Sequence, residues 1–518
     1  MTSLAPELSA HFNIAPEFMA LVILADTAFI ILIKKFIMET IKEKEFNIDK
    51  FKNFSEWYSK VLEKAEIVDD RYSVKGFHIN LSWGMFIIDK IYSIWESELE
   101  NKNHKKVLFP AVIPEENFEK EKEHVEGFKP EVFWICEAGN NKLERRLSLR
   151  PTSETAFYQM YSLWIRSYKD LPLKLYQSCS VFRYETKATK PLIRAREFLW
   201  IESHCSFKTK EEALSQVLED MEITKRVYDK LGIPFLFFKR PEWDKFKGSV
   251  FTFAADTMLP DKKRLQLPST HYLGENFAKA FNIKFEDKDG NKKWVHQTCY
   301  GPPISRTLAT IISIFGDNKG LRLPFDLAPI QIIIIPILKK GEEEKILNYC
   351  NKIKEKLSKY RVELDKTEKT PGEKFNIWEL KGVPIRIEIG SREVKNNEVT
   401  ISRRDRGGRL RLKVGELNKI EEIGKEITEN LKKEAREWFN GRITSAKNLD
   451  ELKKKIKLGF VKIPFCSRDE IGKECAEKIK EICEIAGTLY SEEPSPNGER
   501  CIVCGKEAKV YVYACKSY

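Results

Sequence analysis

Between Val181 and His204 the chain gathers side chains that suit one kind of ligand: Arg183, Glu185, Arg194, Arg196, Phe198, Trp200, Glu202 and His204. Arginine grips phosphate through two parallel hydrogen bonds and also stacks on flat rings. A polyphosphate joined to a planar base is the guest this set fits. A second chemistry stands near the other end, where Cys501 and Cys504 form a Cys-x-x-Cys-Gly knuckle and Cys466 and Cys475 supply two more thiols. Four thiolates in tetrahedral array suit a closed, structural zinc site. Cys483 and Cys515 are alternative members of that set.

The elements that must hold the first set are two strands, residues 181–185 and 194–204, rich in Val, Ile, Phe, Tyr and Trp and joined by a polar Lys/Thr/Pro loop. Side chains alternate along a strand. Arg183 and Glu185 therefore share one face of the first, and Arg194, Arg196, Phe198, Trp200, Glu202 and His204 one face of the second. Leu199 and Ile201 face the core. The plain alternative is a solvated sheet face of cross-strand ion pairs.

Around this hairpin, FSEWYSKVLEKAEI from Phe54 has helical spacing, and residues 83–99 predict a longer helix leading to a short strand at 107–110 that ends in proline. A strand stopped by Pro151 precedes Thr152, Ser153 and Glu154, which suit the N-cap of a helix. Residues 208–231 predict a helix over the sheet and 234–239 a strand. His271 is read as a loop residue. A strand ends at Gly301, with a helix starting near Arg306, where free N–H groups and an arginine favour an anion. From Ala328 strands alternate with helices: strands at 330–338, Val362, Pro384 and Val399, helices at 342–360 and 416–439, a compact α/β domain.

The stretch Phe182-Arg183-Tyr184-Glu185, with Arg194, Phe198 and Glu202, resembles motif 2 of the class II aminoacyl-tRNA synthetases. Trp200-Ile201-Glu202-Ser203-His204 is similar to the signature of prolyl-tRNA synthetases of the archaeal and eukaryotic type. The helix, strand and proline ending at Pro110 resemble motif 1. Ser305-Arg306-Thr307 resembles motif 3, with two departures, Phe315-Gly316-Asp317 and Pro324-Phe325. The 92 residues between His204 and Gln297 (205–296) leave no room for the editing insertion of the bacterial type.

The resemblance implies an α+β fold: a class II antiparallel-sheet catalytic domain (46–327), an α/β anticodon-binding domain (328–440) and a small α+β zinc-binding C-terminal domain (441–518), after an extension (1–45) without assigned role. It implies ATP, Mg²⁺ and structural Zn²⁺ as cofactors, with L-proline, tRNA(Pro) and a second copy of the chain as partners. Arg183 and Arg306 are the implied catalytic residues. Arg183, Glu185, Arg194, Phe198, Gln266, Ser269 and Arg306 would bind ATP. Thr152, Glu154, Arg183, Trp200, Glu202, His204, His271 and Cys299 would bind proline, a carboxylate and a hydroxyl together accepting both N–H donors of a secondary ammonium. Glu202 facing Mg²⁺ or ATP is the alternative. Glu379 and Arg386 would read anticodon bases, or else form a solvent ion pair. Cys466, Cys475, Cys501 and Cys504 would hold zinc, and Tyr518 would fold back toward the catalytic domain.

Composition agrees with this without demanding it. Ninety Lys and Arg against 78 Asp and Glu give a net charge of +12, which suits a polyanion such as RNA, although Lys- and Glu-rich thermophilic proteins reach similar values. Eleven cysteines in 518 residues, five of them scattered, favour a reduced, cytoplasmic compartment. The apolar run at 18–33 is short for a membrane span and contains Asp26 and Thr27, so no membrane partner is expected. Two rivals carry forward, a threonine or glycine synthetase and a non-catalytic RNA-binding paralogue. The first is disfavoured by the lack of a metal-ligand set in the catalytic domain, the second by the retained motif arginines.

Overall fold

The structure, a computed structural model, describes residues 46, 48–120, 132–491 and 495–518. The extension 1–45 and its apolar run lie outside the described residues. Everything below belongs to the compact unit Asp49–Tyr518.

Pairing, more than propensity, sets the limits of the central hairpin. Its strands are β2 (Leu173–Phe182) and β3 (Glu197–Phe207), following the short β1 (Lys105–Lys106). The ladder runs from Leu173 opposite Ser206 to Phe182 opposite Glu197. Arg183, Glu185, Arg194 and Arg196 therefore lie beyond the strands, in the connecting loop, and not on the strand faces their alternation predicted. Phe198, Trp200, Glu202 and His204 do share a face of β3. On its other face Ile201 is fully buried but Leu199 is only half-buried. The strand expected at 107–110 does not form. The ladder register ends at Lys106, one last bond runs from Val107 N–H to Tyr176 O at 2.9 Å, and Phe109 N–H donates to the Gln177 side chain at 2.9 Å instead of to a ladder carbonyl.

The sheet continues through β4 (Leu236–Lys239), β5 (Phe251–Met258), β6 (Lys263–Gly274) and β7 (His296–Gly301), in the order β4-β5-β6-β7-β3-β2-β1. All these pairs are antiparallel except β1 with β2. His271 thus sits within β6, not on a loop. Helices of this segment include α1 (Phe54–Lys64), α2 (Ser82–Glu100), α3 (Glu154–Trp164) and α4 (Lys210–Leu231). Helix α4 starts where Thr209 caps Glu212 N–H and ends at Gly232, whose φ of +75° suits glycine. Its apolar residues Ala213, Val217 and Met221 cover Cys205 and Phe207 of β3. Helix α5 (Ile304–Phe315) follows β7.

The next segment forms a five-stranded sheet from β8 (Ile332–Pro336), β9 (Val362–Leu364), β10 (Ile385–Ile389), β11 (Glu398–Arg403) and β12 (Arg409–Lys413) in the order β9-β8-β10-β11-β12. Its helices are α6 (Glu343–Lys356), α7 (Pro371–Leu380) and α8 (Ile420–Asn440). Strand β12 and helix α7 were not legible as elements, and the first turns of the expected last helix are a 3-10 segment, Val414–Lys419.

The C-terminal segment supplies β13 (Ile443–Ser445), β14 (Phe460–Phe465), β15 (Glu484–Leu489) and β16 (Val510–Ser517). These do not form a separate sheet. Strand β15 pairs with β4 through Thr488 and Leu489, and β16 also runs parallel to β6 at Lys263 and Arg264, giving one eleven-stranded sheet. Among the described residues, no helix is long and apolar enough to cross a membrane.

Candidate active site

The alternation of β3 delivers Trp200, Glu202 and His204 to one cavity of about 190 Å³. Strands β6 and β7 add Gln266, Ser269, His271, Cys299 and Gly301, while the loop before α3 adds Thr152 and Glu154, and Arg183 closes one side. Sequence reading did not single out Arg240, Asp244, Lys245, Phe246, Thr252 and Tyr300, which also line it. A signal existed for some of them. Arg240 follows a strand directly, and Thr252 lies on β5 across from His271.

Glu202 organises the floor. Its carboxylate, 1% exposed, accepts hydrogen bonds from Thr152 Oγ1 (2.8 Å), Ser153 N–H (2.8 Å), Ser153 Oγ (2.6 Å) and Gln177 Nε2 (3.1 Å). Ser153 consequently does not cap α3 with its side chain, as the Thr-Ser-Glu sequence predicted, because its hydroxyl serves the buried carboxylate. Thr152 Oγ1 also meets the Glu154 carboxylate. Glu154 lies across from Cys299, whose thiol donates to Oε1 at 3.4 Å. Burial, and then Glu154, push the Cys299 thiol well above its ordinary pKa, so it is a neutral S–H donor.

On the histidine side, His271 Nδ1 meets Thr252 Oγ1 at 2.8 Å and Nε2 meets Ser269 Oγ at 3.0 Å, under the Phe246 ring. His204 Nδ1 meets Tyr158 OH at 3.4 Å, and its Nε2 is buried with no hydrogen-bond partner.

The arginines converge above this floor. The Arg183 guanidinium lies 5.4 Å from the Phe198 ring centre and 5.3 Å from that of Trp200, with Nε donating to Pro151 O. Arg194 binds Glu185 Oε2 at 2.9 Å and the Tyr518 carbonyl. Tyr518 returns to the catalytic sheet, its hydroxyl donating to Asp261 at 2.8 Å. Arg306, in the first turn of α5, donates to Ile193 O and Gln266 O, both at 3.1 Å. Burial, with Arg183 and Arg194 nearby, holds its pKa down at about 10. Two further guanidiniums beside the buried Arg306 raise the cost of its charge, and an anion relieves such a site. Arg196 is not among them. It stacks on Tyr184 at 4.1 Å and donates to the Glu185 and Lys75 carbonyls, so it braces the loop.

Arg240 connects this site with the C-terminal strands. It donates to both oxygens of buried Asp256 (2.7 and 2.8 Å), to Ala486 O (2.6 Å) and to Gln266 Oε1 (3.2 Å).

Outside the cavity, Arg386 on β10 binds Glu379 at 3.0 Å and Glu388 at 3.0 Å, over the Phe375 ring. The pair is half-buried and not a loose solvent contact. The sulfurs of Cys466, Cys475, Cys501 and Cys504 all lie within 4.8 Å of one another. Neither Cys483 nor Cys515 joins that cluster; Cys515 packs against Phe238 and Met258. A second cluster has the same compactness, Glu154, His204 and Cys299. It lies in the segment where no metal-ligand set was expected.

Residues 133–315 match the family model "tRNA synthetase class II core domain (G, H, P, S and T)", residues 331–425 "Anticodon binding domain" and residues 449–518 "Prolyl-tRNA synthetase, C-terminal". The chain is 54% identical over 488 residues to the proline-tRNA ligase of Thermofilum pendens, covering 92% of this chain and 100% of the relative. To that of Pyrococcus abyssi it is 44% identical over 474 residues, covering 90% and 98%. The solved structure of Giardia lamblia prolyl-tRNA synthetase in complex with prolyl-adenylate superposes with a TM-score of 0.87 at 37% identity, covering 91% of this chain and 100% of that one.

Proposed function

We propose residue roles from one premise: the chain belongs to the proline-tRNA ligase family of class II aminoacyl-tRNA synthetases. It activates L-proline with ATP and transfers the prolyl group to tRNA(Pro). The threonine, glycine and non-catalytic alternatives give way, since its relatives are proline-tRNA ligases over nearly their whole length.

In the first step a carboxylate oxygen of proline attacks the α-phosphorus of ATP. The bond to the bridging oxygen breaks and pyrophosphate leaves with its electron pair. In the second, a ribose hydroxyl at the 3′ end of the tRNA attacks the prolyl carbonyl carbon, loses its proton, and AMP departs. Positioning and charge neutralisation are the contributions such transfers need from a protein. Arg183 bridges the proline carboxylate and α-phosphate, while Arg194 and Arg306 take the outer phosphates. Phe198 stacks on adenine, and Glu185, Gln266 and Ser269 border the nucleotide. Thr152 and Glu154 accept the two N–H bonds of the ammonium; Trp200, His204, His271 and Cys299 wall the ring. Glu202 lines the same pocket, but its hydrogen bonds go to protein donors, so it is a positioning residue holding the Thr152–Glu154 loop.

Glu379 and Arg386 read the anticodon. Mg²⁺ binds through one or two carboxylates together with substrate phosphates. Glu185, a half-buried carboxylate beside Arg194, fits that need, and Mg²⁺ would neutralise phosphate charge there. For zinc, bonds of about 2.3 Å to four thiolates place sulfurs about 3.8 Å apart. Cys466 and Cys475, at 3.6 Å, already meet that spacing. The chain is assigned to the cytoplasm as a homodimer. The helix α2, which matches motif 1, contributes the dimer interface.

The observation that carries the reading is the convergence of Arg183, Arg194 and Arg306 beside the Thr152–Glu154 loop. The test is ATP-pyrophosphate exchange with each of the twenty amino acids, without tRNA, on wild type and Arg183→Ala. Exchange that depends on proline and is lost in the variant supports it. Exchange with another amino acid changes the substrate, and no exchange from folded protein removes the activity.

A further inference from the structure

The proline cavity also holds a set of donors that a secondary ammonium does not require. Three adjacent strands bring His271, Cys299 and His204 into one cross-strand row, His271 opposite Cys299 and Cys299 opposite His204. Glu154, from the first turn of α3, reaches the same point. The ligating atoms of Glu154, His204 and Cys299 all lie within 4.8 Å of one another, and Cys299 Sγ stands 3.4 Å from Glu154 Oε1. Tetrahedral zinc, with bonds of about 2.0–2.3 Å to N, O and S donors, spaces its ligands at about 3.5 Å. The cluster therefore needs side-chain shifts of about 1 Å or less.

An independent observation points to a ligand here. His204 is 1% exposed and its Nε2 has no hydrogen-bond partner, whereas His271 beside it uses both ring nitrogens. A buried nitrogen without a partner is costly unless something occupies its lone pair or takes its proton. Proline's ring carbons offer it nothing.

We propose that Glu154, His204 and Cys299 form a binding site for a thiophilic divalent ion, Zn²⁺ foremost, and that the ion and proline exclude one another from the cavity. One carboxylate, one imidazole and one thiolate make a mixed O, N, S set that suits zinc and not magnesium. On binding, the Cys299 S–H proton passes to solvent and the thiolate bonds the metal, while water takes the fourth position on the cavity side. Exclusion follows from sharing. Glu154 cannot hold both a metal and an ammonium, and a metal bound to Cys299 and His204 takes the space that the proline ring needs. The proposal rests on the reading of this cavity as the proline pocket.

The probe is Co²⁺, added to full-length protein whose C-terminal cysteines already hold zinc. A thiolate-to-cobalt charge-transfer band at one equivalent is expected. It should vanish in Cys299→Ser, weaken at least tenfold in affinity in His204→Gln and Glu154→Gln, and persist in Cys205→Ser, which alters the face of β3 opposite to that of His204. L-proline should abolish it, and Zn²⁺ should inhibit exchange competitively against proline. Circular dichroism confirms that each variant is folded. No band in wild type, a band that survives Cys299→Ser, or a band undiminished by saturating proline would each overturn the proposal. Proline-dependent exchange in zinc-free, magnesium-containing buffer reports separately on the pocket's amino acid.

Discussion

Arg404 holds Asp317 by both ends of its guanidinium, Nη1 and Nη2 each donating to one carboxylate oxygen at 2.6 Å. Its Nε donates to the Glu379 carbonyl at 2.9 Å. Asp317 follows the end of α5, whose first turn carries Arg306, and Glu379 lies in the last turn of α7. One side chain thus joins the proposed anticodon-reading helix to the proposed phosphate-binding one. Arg404→Met should lower tRNA charging by about tenfold while leaving ATP-pyrophosphate exchange within about twofold, because exchange needs no anticodon. Equal losses in both assays would dismiss the coupling.

The same pair has a pH signature. Burial pushes the Asp317 carboxyl up, but its hydrogen bonds with Arg404, the Arg404 and Arg322 charges and the Lys319 N–H together outweigh that, and its pKa lies below the ordinary 3.8. A folded value below the unfolded one gives stability that is complete above about pH 4 and fades as pH falls through the folded value. Asp317→Asn should make the acid limb of thermal stability below pH 4 shallower. Melting curves from pH 6 to 3 decide it.

Gly301 carries a steric condition for the pocket. A Cβ there would stand 2.4 Å from Trp200 Cζ2, and an indole ring has no flexible end to yield. Gly301→Ala should displace Trp200 and raise the KM for proline tenfold or more, with the KM for ATP changed by less than threefold. A proline KM left at the wild-type value would refute the contact.

Glu202 is matched to five donors, the Cys179 thiol at 3.8 Å among them, so replacing one oxygen by an NH₂ turns an acceptor toward hydrogens. Glu202→Gln should loosen the Thr152–Glu154 loop and lower kcat/KM for proline by about 10- to 100-fold, a loss of about 1.4–2.7 kcal/mol in transition-state binding. Steady-state exchange kinetics at varied proline and varied ATP separate this from a general loss of activity.

The C-terminal cysteines brace strands that belong to the catalytic sheet, since Thr488 and Leu489 pair with Lys239 and Phe238. Cys504→Ser should release about one zinc per chain, lower the Tm and reduce exchange as Tyr518 leaves Arg194. Metal analysis alongside calorimetry tests this. An unchanged Tm in a zinc-free variant would show that the cluster does not support the sheet.

What the sequence by itself determined is local in origin. Alternation from Phe198 to His204 put the right side chains on one face of β3, and the helical periodicities placed α1, α2 and α4 within a few residues. The spacing of Cys501 and Cys504 marked a knuckle before any partner was visible. Tertiary structure decided what depends on chain segments far apart. The register with β2 ended the hairpin at Phe182 and Glu197, so the arginines act from a loop, where Arg196 found carbonyls and Tyr184 instead of the cavity. Thr-Ser-Glu read as a cap because capping is local. The Glu202 carboxylate that overrides it arrives from about fifty residues along the chain. Arg240 looked ordinary until packing set it between Asp256, Gln266 and Ala486. Likewise, nothing adjacent in sequence connects Glu154, His204 and Cys299. Strand pairing and the entry of α3 bring them together.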